Sequence, residues 1–88
     1  MATEIGNKET LAAILIEAQE ALQRFGPHHS AHESYAVLLE EVDELWDAVR
    51  RKQGPNRDEA MRKECIQVAA MALRMLHFID NVDPGQAT

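Results

Sequence analysis

The chain has few of the residues that build strands, staples and membrane spans. One cysteine, Cys65, stands among 88 residues, which excludes an intramolecular disulfide and fits a reducing compartment. Two Phe, one Tyr and one Trp are all its aromatics, and β-branched residues are sparse, so the composition favours helix. No run reaches the roughly 18 apolar residues of a membrane span, and the N-terminal stretch lacks a signal-peptide pattern. The expectation is a cytoplasmic protein with no membrane partner. Positive charge is also scarce. Nine Lys and Arg face fifteen Asp and Glu, for a net charge of −6. That balance argues against nonspecific nucleic-acid binding, which needs a basic footprint. It also suits a cation-binding protein before its metals are counted.

Three prolines and four glycines punctuate what is otherwise amphipathic helix. Residues 1–88 form one domain, too small for a sizeable core, so oligomerisation or a ligand should add stability. The first helix spans about 8–25, with Leu11, Leu15, Ala18, Leu22 and Phe25 at helical spacing. Gly26-Pro27 ends it. The second opens at the capping box Ser30-Ala-His-Glu33 and covers about 31–52, before Gln53-Gly54-Pro55. The third opens at Asn56-Arg-Asp-Glu59, spans about 57–80, and leaves a frayed tail at 81–88. The fold class is all-α. Three main helices with short connections and antiparallel neighbours make a hairpin-based bundle completed by oligomerisation.

Within the second helix, five acids crowd an apolar run. At about 100° per residue, Leu38, Val42, Leu45 and Val49 set its core direction. Glu40, Asp43 and Asp47 point away from it as solvated charge. Glu41 and Glu44 lie on one flank, in line with Val37 and Ala48. In the third helix, Met61, Cys65, Val68, Ala72, Met75 and Ile79 set the core direction. Glu64 and Gln67 occupy the matching flank, with Ala60, Met71 and Phe78. Two i, i+3 pairs that face each other across a hairpin converge on one site. Three carboxylates and a carboxamide are hard oxygen ligands suited to Mg²⁺ or Mn²⁺. The spacing alone also suits ordinary boundary glutamates.

The segment Glu40-Glu41-Val-Asp-Glu44, nineteen residues, then Glu64-Cys-Ile-Gln67 resembles the EExxE…ExxD signature of the MazG-like all-α nucleoside triphosphate pyrophosphohydrolases. The wider runs FGPHHSAHESYAVLLEEVDELWDAV and MRKECIQVAAMALRML are similar to its small, single-domain members of the phage and mobile-element type. The resemblance covers about residues 24–79. It implies Mg²⁺-dependent hydrolysis of a (deoxy)nucleoside triphosphate to the monophosphate and pyrophosphate. Carried over by position, Glu41, Glu44 and Glu64 match metal-ligand glutamates, and Glu40 the leading Glu of the first motif. A carboxylate of this set, Glu41 or Glu44 by direction and Glu40 as a further candidate, accepts a proton from the attacking water. Gln67 departs from the pattern, which has Asp. An amide oxygen still coordinates Mg²⁺, yet the site loses one negative charge and some metal affinity.

Other side chains carry two readings each. Arg51 and Arg74 share the acidic flank, as phosphate contacts or as surface arginines pairing with nearby acids. Trp46, Tyr35 and Phe25 stack on a base or fill the edge of a core stripe. Gln19 and Gln23 read a base edge or face water. His28, His29 and His32 lack a partner Cys for zinc and make loop or cap contacts. Cys65, on the core direction, reads as a buried, inert thiol. Ile66, Ala70 and Leu73 form a second apolar row on the third helix, for which another subunit offers cover. A homo-oligomer, dimer or tetramer, is therefore expected. Three classes follow: a nucleotide pyrophosphohydrolase, a nucleotide- or metal-binding relative without efficient turnover, and a purely structural helical oligomer.

Overall fold

A computed structural model describes residues 3–87. Three helices form: α1 (Lys8–Phe25), α2 (Ala31–Val49) and α3 (Pro55–Asn81), with no strand among the described residues. Each boundary has a local cause. The Asn7 side chain accepts the Thr10 N–H at 2.8 Å and starts α1. Gly26, at φ 75, ends α1 by donating to the Leu22 carbonyl at 2.8 Å, a conformation open to glycine at no steric cost. Ser30 Oγ accepts the Glu33 N–H at 3.1 Å, half of the expected capping box. The other half differs. The Glu33 carboxylate accepts the His29 backbone N–H at 2.9 Å, one residue before the cap.

The connection between α2 and α3 corrects two boundaries. The second helix stops at Val49, three residues before the expected Lys52, because a side chain from α3 caps it. Arg57 Nε donates to the Val49 carbonyl at 2.8 Å. The third helix begins at Pro55, with Gly54 as its cap residue and no side-chain cap bond. Proline at the first helical position loses an N–H that has no intrahelical partner there anyway. Asn56 is thus inside the helix rather than its cap. Residues 82–87 follow α3 as non-helical chain, and Thr88 lies outside the described residues.

The long α3 lies in the middle. Arg57 reaches Val49 while Glu64 meets Glu41 and Glu44, so α2 runs antiparallel to α3. Arg62 donates to Thr10 Oγ1 at 3.1 Å and Ala18 clusters with Ala70, so α1 runs parallel to α3. The backbones of α1 and α2 do not meet. Consecutive helices were expected to pack antiparallel, which holds for α2 with α3 alone. The body measures 45 × 26 × 24 Å and its radius of gyration is 14.6 Å, against about 12 Å for a compact chain of this length. Its core is thin: of the buried apolar side chains Ala18, Ala48, Ala70, Met71 and Phe78, three are alanine.

The inward faces are rotated from the expected ones. On α2 the buried positions are Ser34 and Ala48, with the half-buried Glu41 midway between them at seven-residue spacing, flanked by Val37, Leu38 and Leu45. Val42 is exposed. On α3 the inward row is Ala60, Glu64, Gln67, Met71, Arg74 and Phe78, the row expected at the flank. Cys65, expected to be buried, is exposed. The reason is packing order. The Ala70 and Leu73 face of α3 is covered by Ile14, Ala18 and Ala21 of α1 rather than by another subunit, and the two neighbours together turn the polar row inward. The aromatics expected at core edges, Phe25, Tyr35 and Trp46, are exposed along with Leu39 and Ile79. A broad apolar surface is left on this single chain.

Candidate metal centre

The antiparallel register of α2 on α3 places the two acidic segments side by side. Glu41 and Glu44, one turn apart on α2, and Glu64 on α3 bring one carboxylate oxygen each to within 4.8 Å of one another. Glu41 and Glu64 are half-buried and Glu44 is exposed. One oxygen of Glu41 and one of Glu64 are buried with no hydrogen-bond partner. None of the three carboxylates has an ion pair among the described residues, where the salt bridges are His29–Glu33 and Asp47–Arg50. A boundary glutamate that served only solubility would turn both oxygens to water or a cation. Glu41 and Glu64 each keep one oxygen from both.

The electrostatics record the cost. Burial, reinforced by the hydrogen bond that a protonated Glu41 donates to Glu44, by the charge of Glu44 and by the charges of Glu64 and Glu40, pushes the Glu41 carboxyl up to about 7. Glu64 is also raised, by burial first and then by Glu44, against the opposing charges of Lys63 and Arg51. Like carboxylates sharing a low-dielectric site cannot all ionise unless a positive charge joins them. Hard oxygen donors, orphaned lone pairs and raised carboxyl pKa values together fit a small divalent cation.

A groove of about 660 Å³ opens beside the cluster between α1 and α2, with α3 as its floor. That is the size of small-molecule sites. Glu40, Glu41, Gln67 and Arg74 line it. Gln67 is half-buried at the position that a fourth ligand would occupy on the Glu64 row, one turn on. Glu40 is exposed, as its direction implied. Arg51 is exposed, with its charge felt at Glu64. Arg74 is buried, contrary to a surface role, and its Nη2 donates to the Gly26 carbonyl at 3.2 Å. Gln19 and Trp46 lie elsewhere. Gln19 lines a separate, more apolar groove of about 360 Å³ between α1 and α3. Trp46 and Gln23 are exposed and line neither groove.

The histidines divide by environment. His29 pairs with Glu33 at 3.0 Å, and its two hydrogen bonds hold that carboxyl below the usual range. His28 is buried and its Nδ1 is hydrogen-bonded to the wholly buried Ser34 hydroxyl. Neither His28 nor Ser34 was legible as a site residue. The available signal was the seven-residue spacing that puts Ser34 on the row of Glu41 and Ala48, a polar residue on a buried stripe. No family model, no curated protein and no solved structure matches the chain, so the centre stands on its own geometry.

Proposed function

We propose that the protein is a divalent-cation-dependent hydrolase that cleaves a (deoxy)nucleoside triphosphate to the monophosphate and pyrophosphate. One observation carries the reading: three carboxylates from two helices converge with their oxygens within 4.8 Å, and two of them keep a buried oxygen unpartnered. The resemblance to the MazG-like family supplies the reaction class. Glu41, Glu44, Glu64 and Gln67 are the residues that would hold Mg²⁺, with Mn²⁺ as a substitute. When bound, the cation supplies Lewis acidity toward phosphate oxygens and water.

The chain's own part is positioning and proton transfer. Water attacks the α-phosphorus, a new P–O bond forms, and the bond to the α,β-bridging oxygen breaks. Pyrophosphate leaves with that electron pair. The water's proton passes to a carboxylate of the set, Glu41 or Glu44, with Glu40 at the groove edge as a further acceptor. Arg51 and Arg74 bear on the phosphates, while Trp46, Gln19 and Gln23, expected at the base, lie outside the groove beside the carboxylates. The exposed apolar row Tyr35, Leu39, Val42 and Trp46 on α2 favours a homo-oligomer, dimer or tetramer, as its cover.

The test is pyrophosphate release across the canonical dNTPs and NTPs with Mg²⁺ or Mn²⁺. Release with at least one substrate, abolished in Glu41→Gln and Glu64→Gln, supports the reading. Undiminished release in both variants sinks it. Gln67 favours a second reading, a metal- and nucleotide-binding relative without efficient turnover. Metal-dependent nucleotide binding without product, and turnover gained in Gln67→Asp, would select that one.

A further inference from the structure

Arg74 on α3 is 8% exposed and His28, in the connection between α1 and α2, is 6% exposed. A buried guanidinium ordinarily faces a carboxylate or phosphate, because an uncompensated buried charge is costly. Arg74 has neither. Its Nη1 donates to Met71 Sδ at 3.4 Å, its Nη2 donates to the Gly26 carbonyl, and its Nε is buried without an acceptor. Glu33, the acid whose charge reaches it, is already engaged by the His29 N–H and ring. In a chain with fifteen carboxylates, a buried arginine paired with none of them calls for a ligand.

His28 repeats the pattern. Ser34 holds Nδ1, and Nε2 is buried with no partner. Both side chains line the groove that also contains Glu41 and Gln67. Burial and then the charge of Arg74 hold the His28 pKa below its ordinary value, which favours the neutral ring. The Ser34 hydroxyl serves either tautomer, donating to a bare Nδ1 or accepting from its N–H. Nε2 of the ring is thus uncommitted, as is Nε of Arg74, and the charge of Arg74 is felt at His28.

We propose that Arg74 and His28 form an anion subsite for the phosphate chain of a condensed polyphosphate, whose cation sits at Glu41, Glu44 and Glu64. The assignment rests on the metal-centre reading above. Glu17, Glu20, Glu33, Glu40 and Glu41 also line the groove and outnumber its arginines, Arg24 and Arg74, so a free anion meets net repulsion. The ligand consequently binds as its cation complex, and the base adds nothing to this part of the contact.

The probe is inorganic tripolyphosphate, titrated into ¹⁵N-labelled wild-type protein with and without Mg²⁺, with sulfate at matched ionic strength as control. The Arg74 Nε–H and His28 ring nitrogen signals move with tripolyphosphate only when Mg²⁺ is present, and stay in place with sulfate. Arg74→Lys and His28→Gln each weaken Mg²⁺–tripolyphosphate binding by roughly 10- to 100-fold, the scale of a lost charge-assisted hydrogen bond. Both keep the thermal response to Mg²⁺ alone, which reports an intact fold and metal centre. Still signals, an equal response to sulfate, or unweakened variants overturn the subsite. Cleavage of a dNTP with both signals still refutes the subsite and leaves the hydrolase reading standing. Moving signals without cleavage of any nucleotide do the reverse.

Discussion

Replacing Glu41 with glutamine should stabilise the metal-free protein above neutral pH, while removing its response to Mg²⁺. The carboxyl is raised from its ordinary 4.5 to about 7 in the fold. Between those two values the folded state holds a proton that the unfolded state has released, so stability falls as pH rises through that window. At about 1.36 kcal/mol per pH unit the full penalty above pH 7 reaches about 3.4 kcal/mol. Glu41 is only half-buried, and solvent screening reduces the penalty to on the order of 1–2 kcal/mol. A chain of 88 residues unfolds with an entropy of about 0.18 kcal/mol/K, so Glu41→Gln should raise Tm by about 5–10 °C at pH 8. At pH 4.5 the wild-type carboxyl is protonated in the fold, and the gap between the two proteins should close. With Mg²⁺ at about 100 times its Kd, wild type should gain about 2.7 kcal/mol while the variant gains little. Thermal unfolding of both proteins from pH 4.5 to 8, with and without Mg²⁺, reads all three. A variant that melts at or below wild type at pH 8, or a gap of constant size across pH, refutes the reasoning.

Gln67→Asp adds a fourth carboxylate beside Glu41 and Glu64, so it should lower metal-free Tm at pH 8 and enlarge the Mg²⁺-induced shift; calorimetric titration of Mg²⁺ checks the affinity directly. Arg57→Ala removes the 2.8 Å bond that caps the Val49 carbonyl, and urea unfolding should show a loss of about 1–2 kcal/mol. Ala70→Leu forces three methylene-sized groups' worth of bulk into a fully covered position between α1 and α3. It should cost about 1–3 kcal/mol in the same assay. Trp46→Glu places a charge in the exposed apolar row of α2. Under the proposal that this row joins subunits, sedimentation should report a lower mass for the variant than for wild type, toward the 9.9 kDa single chain, and equal masses would refute the row as an interface.

Much of the fold was legible because helix ends are local chemistry. Asn7, Ser30, Gly26 and Pro55 act on backbone groups a few residues away, so α1 matched its expected bounds. One boundary error came from a distant residue and one from a competing neighbour. Nothing near Val49 announces that Arg57 will cap it, and Asn56 resembles a cap until Pro55 takes the first helical position. Helical direction singled out the three carboxylates that converge, Glu41, Glu44 and Glu64, since residues three apart share a face whatever surrounds the helix. Their degree of burial was not found, because the innermost face depends on how many neighbours a helix has.

The sequence by itself determined that this chain is helical, where its three segments fall, and that Glu41, Glu44, Glu64 and Gln67 share faces. Those properties follow from periodicity and capping, which act over one or two turns. Only the tertiary structure decided that α1 covers Ala70 and Leu73 and that Cys65 and Val42 face outward. It alone turned Glu41, Glu64 and Arg74 inward with buried polar atoms left unpaired. The physical reason is that burial and desolvation belong to the packed arrangement. A carboxylate's field and its missing partners exist only once two other helices have closed around it.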